Sequence, residues 1–318
     1  MKPHYTPLHS PFQHTIAKSV AISGIGLHSG EKVKMVIRPS DEGTGIVFRR
    51  RDMAAHKAEI KAHYSNIFDT TLGTSIRNSY GASVATIEHL MAALWGCGVD
   101  NAVIEIDGPE VPIMDGSSKP FVEWIERAGL VAQEAPRRKL RILSPVMFSE
   151  NGNVLRFEPA KGFQLSVDIE FESAAIAHQH CTLDFNRLTF KDAISEARTF
   201  GMASDLPKMR ALGLAKGGSL ENAILVDGDK VVNEEGLRFD DEFVRHKALD
   251  CVGDLYLAGY RIEGRIIAMR PGHAVNAKAL KALFDSPNAW TIDPSVQIIK
   301  TPAVAETRVA AFSESAYI

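Results

Sequence analysis

The chain has 318 residues, 45% of them hydrophobic and 24% charged, and its 36 basic and 39 acidic residues leave a net charge of −3. That balance, without any long basic run, excludes a nucleic-acid surface, and the length exceeds what one core needs and suits two domains. Three widely spaced cysteines, Cys97, Cys181 and Cys251, with no C-x-x-C, exclude a disulfide framework and a thiolate zinc site and fit a reducing cytoplasm.

The opening "MKPHYTPLHSPFQH" lacks the apolar core of a secretory signal, and no apolar run approaches the ~18 residues of a membrane span, so a soluble protein is expected. Residues 1–15, with their histidines and prolines and no periodicity, read as a loose extension. Residues 18–39 alternate as strands around a Gly-rich turn that carries His28, and 43–50 read as another strand. In 85–100, Ile87, Leu90, Met91 and Leu94 recur with helical period, and Gly96 and Gly98 end the helix. A strand over 101–108 and a tight loop over 109–118 precede a helix over 119–130, with Pro120 near its start and Gly129 at its end.

The polar segment 131–139 reads as a domain boundary. Strands resume in "LRILSPVMF", "NVLRFEP" and "FQLSVDIEFE", followed by a helix near 186–196 and a hairpin over 223–233 with an Asp-Gly turn. A helix over 243–255, the strand "YRIEGRIIAMRPGHAVN" and the helix "AKALKALFDS" complete the pattern. Each half runs strands first and helices after, which argues an α+β protein; a duplicated unit would account for the order, although no sequence repeat accompanies it.

Within "FVRHKALDCVGDL", His246, Asp250 and Asp254 stay within about 80° of one another on a helix. An amphipathic helix with a solvated polar face explains them. So does half of a metal site, because a His/Asp pair at i, i+4 offers an imidazole nitrogen and a carboxylate oxygen to one ion. Such a site needs a further ligand. "TIEHL" offers His89, with Glu88 beside it to take a proton from a bound water, while "HQH" (178–180) is a rival and the bland reading of each is a core or surface side chain. His273 follows Gly272 at a strand-to-helix junction, where an acid or a helix cap would stand equally well.

The motifs "TIEHLMAAL", "VPIMDGSS", "ARTFG", "GLRFDDEFVRHKALDCVGDLYL" and "GHAVN", in this order, resemble the UDP-3-O-acyl-N-acetylglucosamine deacetylases of Gram-negative bacteria, zinc amidases of lipid A synthesis. The resemblance runs from about Ile16 to about Trp290. It implies two tandem two-layer α/β sandwich domains, 16–133 and 134–290, with the active site between them and a small insert in each. The second insert, near 199–230, would pass the acyl chain, and 291–318 would be a tail. It also implies that His89, His246 and Asp250 hold Zn²⁺, with Fe²⁺ an alternative in the cell. Glu88 would be the general base, Thr199 an oxyanion donor, His273 a protonated acid oriented by Asp254, and Lys247 a charge near the substrate. Phe171 would pack on uracil, His28, Asp205 and Arg270 would lie near the nucleotide, and Phe200 and Leu212 would line the acyl passage. The sequence departs from the family in having no lysine between Glu150 and Pro159 and in carrying Gly73 where some relatives have cysteine. The expected partner is an amphiphilic UDP-sugar, the expected state a cytoplasmic monomer. A metal amidase on a related sugar nucleotide and a catalytically idle binding protein are the competing readings.

Overall fold

The structure, a computed structural model, describes residues 7–294. The first half is built on a sheet in which the strands run in the order Val20–Ile25, Lys32–Pro39, Ala102–Ile106, Ile46–Arg50 and Glu59–Lys61. Ala102–Ile106 and Ile46–Arg50 are parallel and the other neighbours antiparallel. The alternation of buried Val33, Met35 and Ile37 with exposed Lys32 and Lys34 puts one face of this sheet against helices α1 (Glu88–Cys97) and α2 (Lys119–Ala128). A smaller sheet of Ile67–Asp69, Ser75–Arg77 and Ser83–Val84, which carried no readable signal, leads into α1.

In the second half the long strand Arg261–Met269 is central. It pairs in parallel with Arg138–Ile142 and Phe163–Glu170 and antiparallel with Asn153–Glu158. The short helices α3 (Phe190–Ala193) and α4 (Leu206–Ala211) follow, then α5 (Glu242–Leu255) and α6 (His273–Phe284) on this sheet. Phe200–Met202, Ile224–Asp227 and Lys230–Val231 form a separate sheet beside α4. The arrangement is α+β, two main sheets each packed with helices and three smaller ones, and no barrel closes. Among the described residues no helix is long and apolar enough to cross a membrane.

Several boundaries differ from the sequence expectation. Residues 7–15 are not loose. Phe12–Ile16 pairs antiparallel with Leu130–Pro136, which makes the polar segment a strand rather than a linker. The pairing is tied down by the buried Arg137, whose guanidinium donates to Asp100 and to the carbonyls of Ser10 and Gly98, interactions invisible to local pattern. The helix near 186–196 shrinks to Phe190–Ala193. The strand ends at Met269: Arg270 turns to φ 48°, Pro271 has no N–H to give, and His273 starts α6. Residues Trp290–Pro294 form an edge strand on Arg138–Ile142, so the expected tail does not begin at 291. The parts of the extension and tail at 1–6 and 295–318 lie outside the described residues.

Helix α5 overturns the solvated-face reading. His246, Asp250 and Asp254 are buried, and only Arg245 and Lys247 of its side chains are not. The cover is α1. A Cβ at Gly253 would run into the backbone of Glu88, so glycine is what lets the first turn of α1 lie directly on the polar stripe of α5.

Candidate active site

This crossing brings together residues more than a hundred and fifty positions apart. His89 Nε2 lies 3.6 Å and His246 Nε2 3.4 Å from Asp250 Oδ1. Those separations are long for hydrogen bonds, but two ligand atoms each about 2.1 Å from one tetrahedral ion stand about 3.4 Å apart. Asp250 Oδ1 is buried with no hydrogen-bond partner among the described residues, a costly state that a cation relieves. The imidazoles are prepared for such a role. His246 Nδ1 donates to the Ala197 carbonyl at 3.0 Å, leaving the Nε2 lone pair toward Asp250, and burial pushes the ring's pKa down to about 3, keeping it neutral. Burial opposes charge on Asp250, yet the Lys247 ammonium, at 3.0 Å from Oδ2, helps hold its carboxyl well below the usual range. The donor set of two nitrogens and one carboxylate fits zinc, and equally another divalent ion of similar preference.

A second cluster adjoins the first: the buried Glu88 and Asp254 with the part-buried His273. His273 Nδ1 is 2.9 Å from Asp254 Oδ2, and its Nε2 faces Glu88 Oε1 at 4.0 Å. Burial lowers the His273 pKa, but the negative charges of Asp254 and Glu88 outweigh it and carry the ring up to about 9. Burial likewise raises Glu88, whose Oε2 accepts from the Thr74 amide at 2.9 Å. The two clusters share a cleft of about 380 Å³ whose wall also includes Thr199, Phe200, Lys247 and Arg270. An apolar annex of about 240 Å³ opens from the same Leu27, Thr199 and Phe200 and is lined by Leu206, Met209, Leu220, Ile224 and Leu225. One ion site, one acid–base pair and one greasy annex on a single cleft are the parts an amidase for an acylated substrate requires.

The family model for UDP-3-O-acyl N-acetylglycosamine deacetylase matches residues 13–285. The chain belongs to this deacetylase family. A protein named UDP-3-O-acyl-N-acetylglucosamine deacetylase from Phenylobacterium zucineum is 44% identical over 281 residues, 88% of this chain and 96% of the relative. Relatives of the same name from Citrifermentans bemidjiense and Shewanella oneidensis are 45% and 46% identical, again over 88% of this chain and 92% of each relative.

The other family motifs have physical roles around the deacetylase cleft. Thr199 is clamped: its N–H donates to the Gly116 carbonyl and its own carbonyl accepts from Ile224, both at 2.8 Å. Gly116 sits at φ 84°, where an added Cβ would meet the Asn222 carbonyl, which explains the glycine of "VPIMDGSS". Arg198 is buried against Glu242 of α5, its Nε 3.0 Å from Oε1, and so ties the "ARTFG" segment to the helix that carries His246. Leu72, Thr86 and Arg270 all line the cleft with positive φ, a concentration of backbone strain at the site.

The residues expected near the nucleotide and acyl chain are more scattered. Arg270 lines the cleft, though its Nη2 donates to the Gly152 carbonyl. Phe171 packs edge-on to Phe200 at 5.6 Å, one ring removed from the cleft. His28 sits behind Leu72, its Nε2 donating to the Leu72 carbonyl at 3.2 Å, while Glu110 receives the His28 and Ser29 amides. Asp205 is exposed at the start of α4 and lines neither cavity. Leu212 is 67% exposed and lies outside the annex, because α4 turns it to solvent and packs Leu206 and Met209 inward instead. The "HQH" histidines are on an exposed strand face, where His178 and His180 both meet Asp168, away from the ion site.

Sequence reasoning missed two residues that hold the acid–base pair. Thr74 Oγ1 donates to Asp254 Oδ1 at 2.5 Å, and Asn276 Nδ2 donates to Oδ2 at 2.8 Å. Asn276 belongs to "GHAVN", one turn from His273, and that spacing was the available signal; Thr74 had none. Thr74→Val is expected to leave a buried carboxylate oxygen unpaired, costing about 1–3 kcal/mol in chemical denaturation and lowering kcat, with Thr74→Ser restoring both. Unchanged stability and rate in Thr74→Val would remove Thr74 from this role.

Proposed function

We propose that the protein hydrolyses the N-acetyl amide of a UDP-3-O-(3-hydroxyacyl)-N-acetylglucosamine, releasing acetate and leaving the free amine on the sugar, the committed step toward lipid A. The observation that carries the reading is the unpaired Asp250 Oδ1 set between two imidazoles, immediately beside a charged His273–Asp254 pair. His89, His246 and Asp250 would hold one zinc ion, or ferrous iron, supplying Lewis acidity to a water molecule and to the amide carbonyl.

The chain's own residues do the rest. Glu88, raised by burial, is suited to take the proton of the attacking water. Negative charge then grows on the carbonyl oxygen, where the Thr199 hydroxyl can donate and the Lys247 ammonium adds positive charge. Lys247 stays protonated: burial would lower its pKa, but Asp250 raises it further. His273, with Nδ1 engaged by Asp254, is free to pass its proton from Nε2 to the departing amine nitrogen. As that proton moves, the C–N bond breaks and its electron pair stays on nitrogen.

The annex would take the acyl chain, with Phe200 at its entrance, while Arg270 would meet the diphosphate, Phe171 the uracil and His28 the sugar nucleotide's edge. A monomer in the cytoplasm completes the reading. Acetate release tests it: chelation should abolish turnover, near-stoichiometric Zn²⁺ should restore it, and UDP-N-acetylglucosamine without the acyl chain should turn over poorly. Full activity in the chelated protein would sink the proposal, and strong turnover of the unacylated sugar would point to a related amidase. Filling the annex by Ala223→Phe should raise KM for long-chain substrates by roughly fourfold per excluded methylene, at about 0.8 kcal/mol each, and spare short ones.

A further inference from the structure

A second cavity, of about 270 Å³, lies at the far ends of α1 and α5 and shares no lining residue with the catalytic cleft. Met91 of α1 and Tyr256, just beyond α5, form part of its wall, and the Tyr256 hydroxyl donates to the Val99 carbonyl at 2.6 Å. The charged wall is unbalanced: Lys61, Arg137, Arg138 and Arg261 stand against the single carboxylate of Asp100.

Some of that charge is accounted for by the fold. Arg137 Nη2 donates to the Gly98 carbonyl at 2.9 Å and Arg261 Nη2 to the Trp95 carbonyl at 2.8 Å, satisfying the open end of α1. The remainder of Arg261 is not accounted for. The residue is 5% exposed, yet its Nη1 and Nε have no hydrogen-bond partner among the described residues, and Nε lies 3.5 Å from Asp100 Oδ1. A buried guanidinium with unmade bonds is expensive unless something occupies them. The rings of Trp95 and Tyr256 lie 5.3 and 5.5 Å from its centre and hold it in place. At the exposed rim, the Arg138 guanidinium lies over the Tyr260 ring at 5.5 Å, and Lys61 stands on the opposite sheet. Spare guanidinium N–H donors, backed by two further cations, suit the oxygens of a phosphate group.

We propose that this cavity binds a phosphate-class oxyanion, through Arg261 within and Arg138 and Lys61 at the rim. Free phosphate and a small phosphomonoester present the same oxygens, so both are probes. The zinc-loaded full chain would be titrated calorimetrically with inorganic phosphate and, separately, with glucose 6-phosphate at fixed ionic strength. Saturable binding is expected, weakened roughly tenfold or more by Arg138→Ala and by Arg261→Lys, and unchanged by Arg270→Ala in the catalytic cleft. Tighter binding of the ester than of phosphate would identify a metabolite site, and the reverse a free-ion site. If Arg261→Lys does not fold, Arg138→Ala and Lys61→Ala decide. The proposal is overturned if neither probe binds saturably, or if Arg270→Ala weakens binding while the rim variants do not.

Discussion

Replacement of His246 by alanine is expected to lower zinc affinity by more than ~100-fold and to abolish acetate release under conditions where the parent protein carries near one ion per chain. Changes to groups that merely orient metal ligands cost up to that factor, and His246 offers its Nε2 lone pair directly, with Nδ1 anchored on Ala197. The effect should also appear without substrate. An ion that binds only the folded chain raises the thermal midpoint as its concentration rises, so zinc should stabilise the chelated parent and leave His246→Ala nearly unmoved. Metal analysis and thermal unfolding in parallel check this. Parent-like zinc content in the variant would remove His246 from the ligand set.

The second large effect concerns pH. On the proposed mechanism turnover would need Glu88 ionised and His273 protonated, so the rate should fall on the acid side as Glu88 takes up a proton and on the alkaline side as His273 loses one. With burial opposing its charge and Asp254 and Glu88 overriding burial, His273 sits at about 9. Asp254→Asn removes the largest of the influences that raise it. The pKa then falls, and the alkaline limb moves to lower pH. At neutral pH the loss of a general acid is worth roughly 10²–10⁴ in kcat. A dication on the neighbouring ligands would draw both limbs downward, but the displacement caused by Asp254→Asn keeps its sign. An alkaline limb that stays in place in Asp254→Asn would show that His273 is not the group behind it.

Local pattern was a good guide where a segment's environment follows from its own residues. The strands around the His28 turn, the loop 109–118 and helices α1 and α2 all stand close to where periodicity and turn chemistry put them. It failed where a partner distant in sequence decides. Phe12–Ile16 is a strand because Arg137 and Asp100 close over it. Leu212 is exposed although apolar, because α4 turns its other side to the annex. The small sheet that delivers Thr74 to Asp254 has strands too short to announce themselves.

By itself the sequence determined the chemical inventory and its local spacing: a histidine and two aspartates on successive turns of one helix, a glutamate next to a histidine at the start of another, and a histidine opening a third. It also determined the family, through the order of its motifs. Periodicity alone left open whether the stripe on α5 faced water or the rest of the protein. Periodicity reports which residues share a face, and says nothing of what that face meets. Only the packing of α1 across Gly253 turned that stripe into a buried site, set Asp250 Oδ1 between two imidazoles, and gave His273 its charge. Burial converts an unremarkable polar face into strongly perturbed groups, because water no longer competes for their charges.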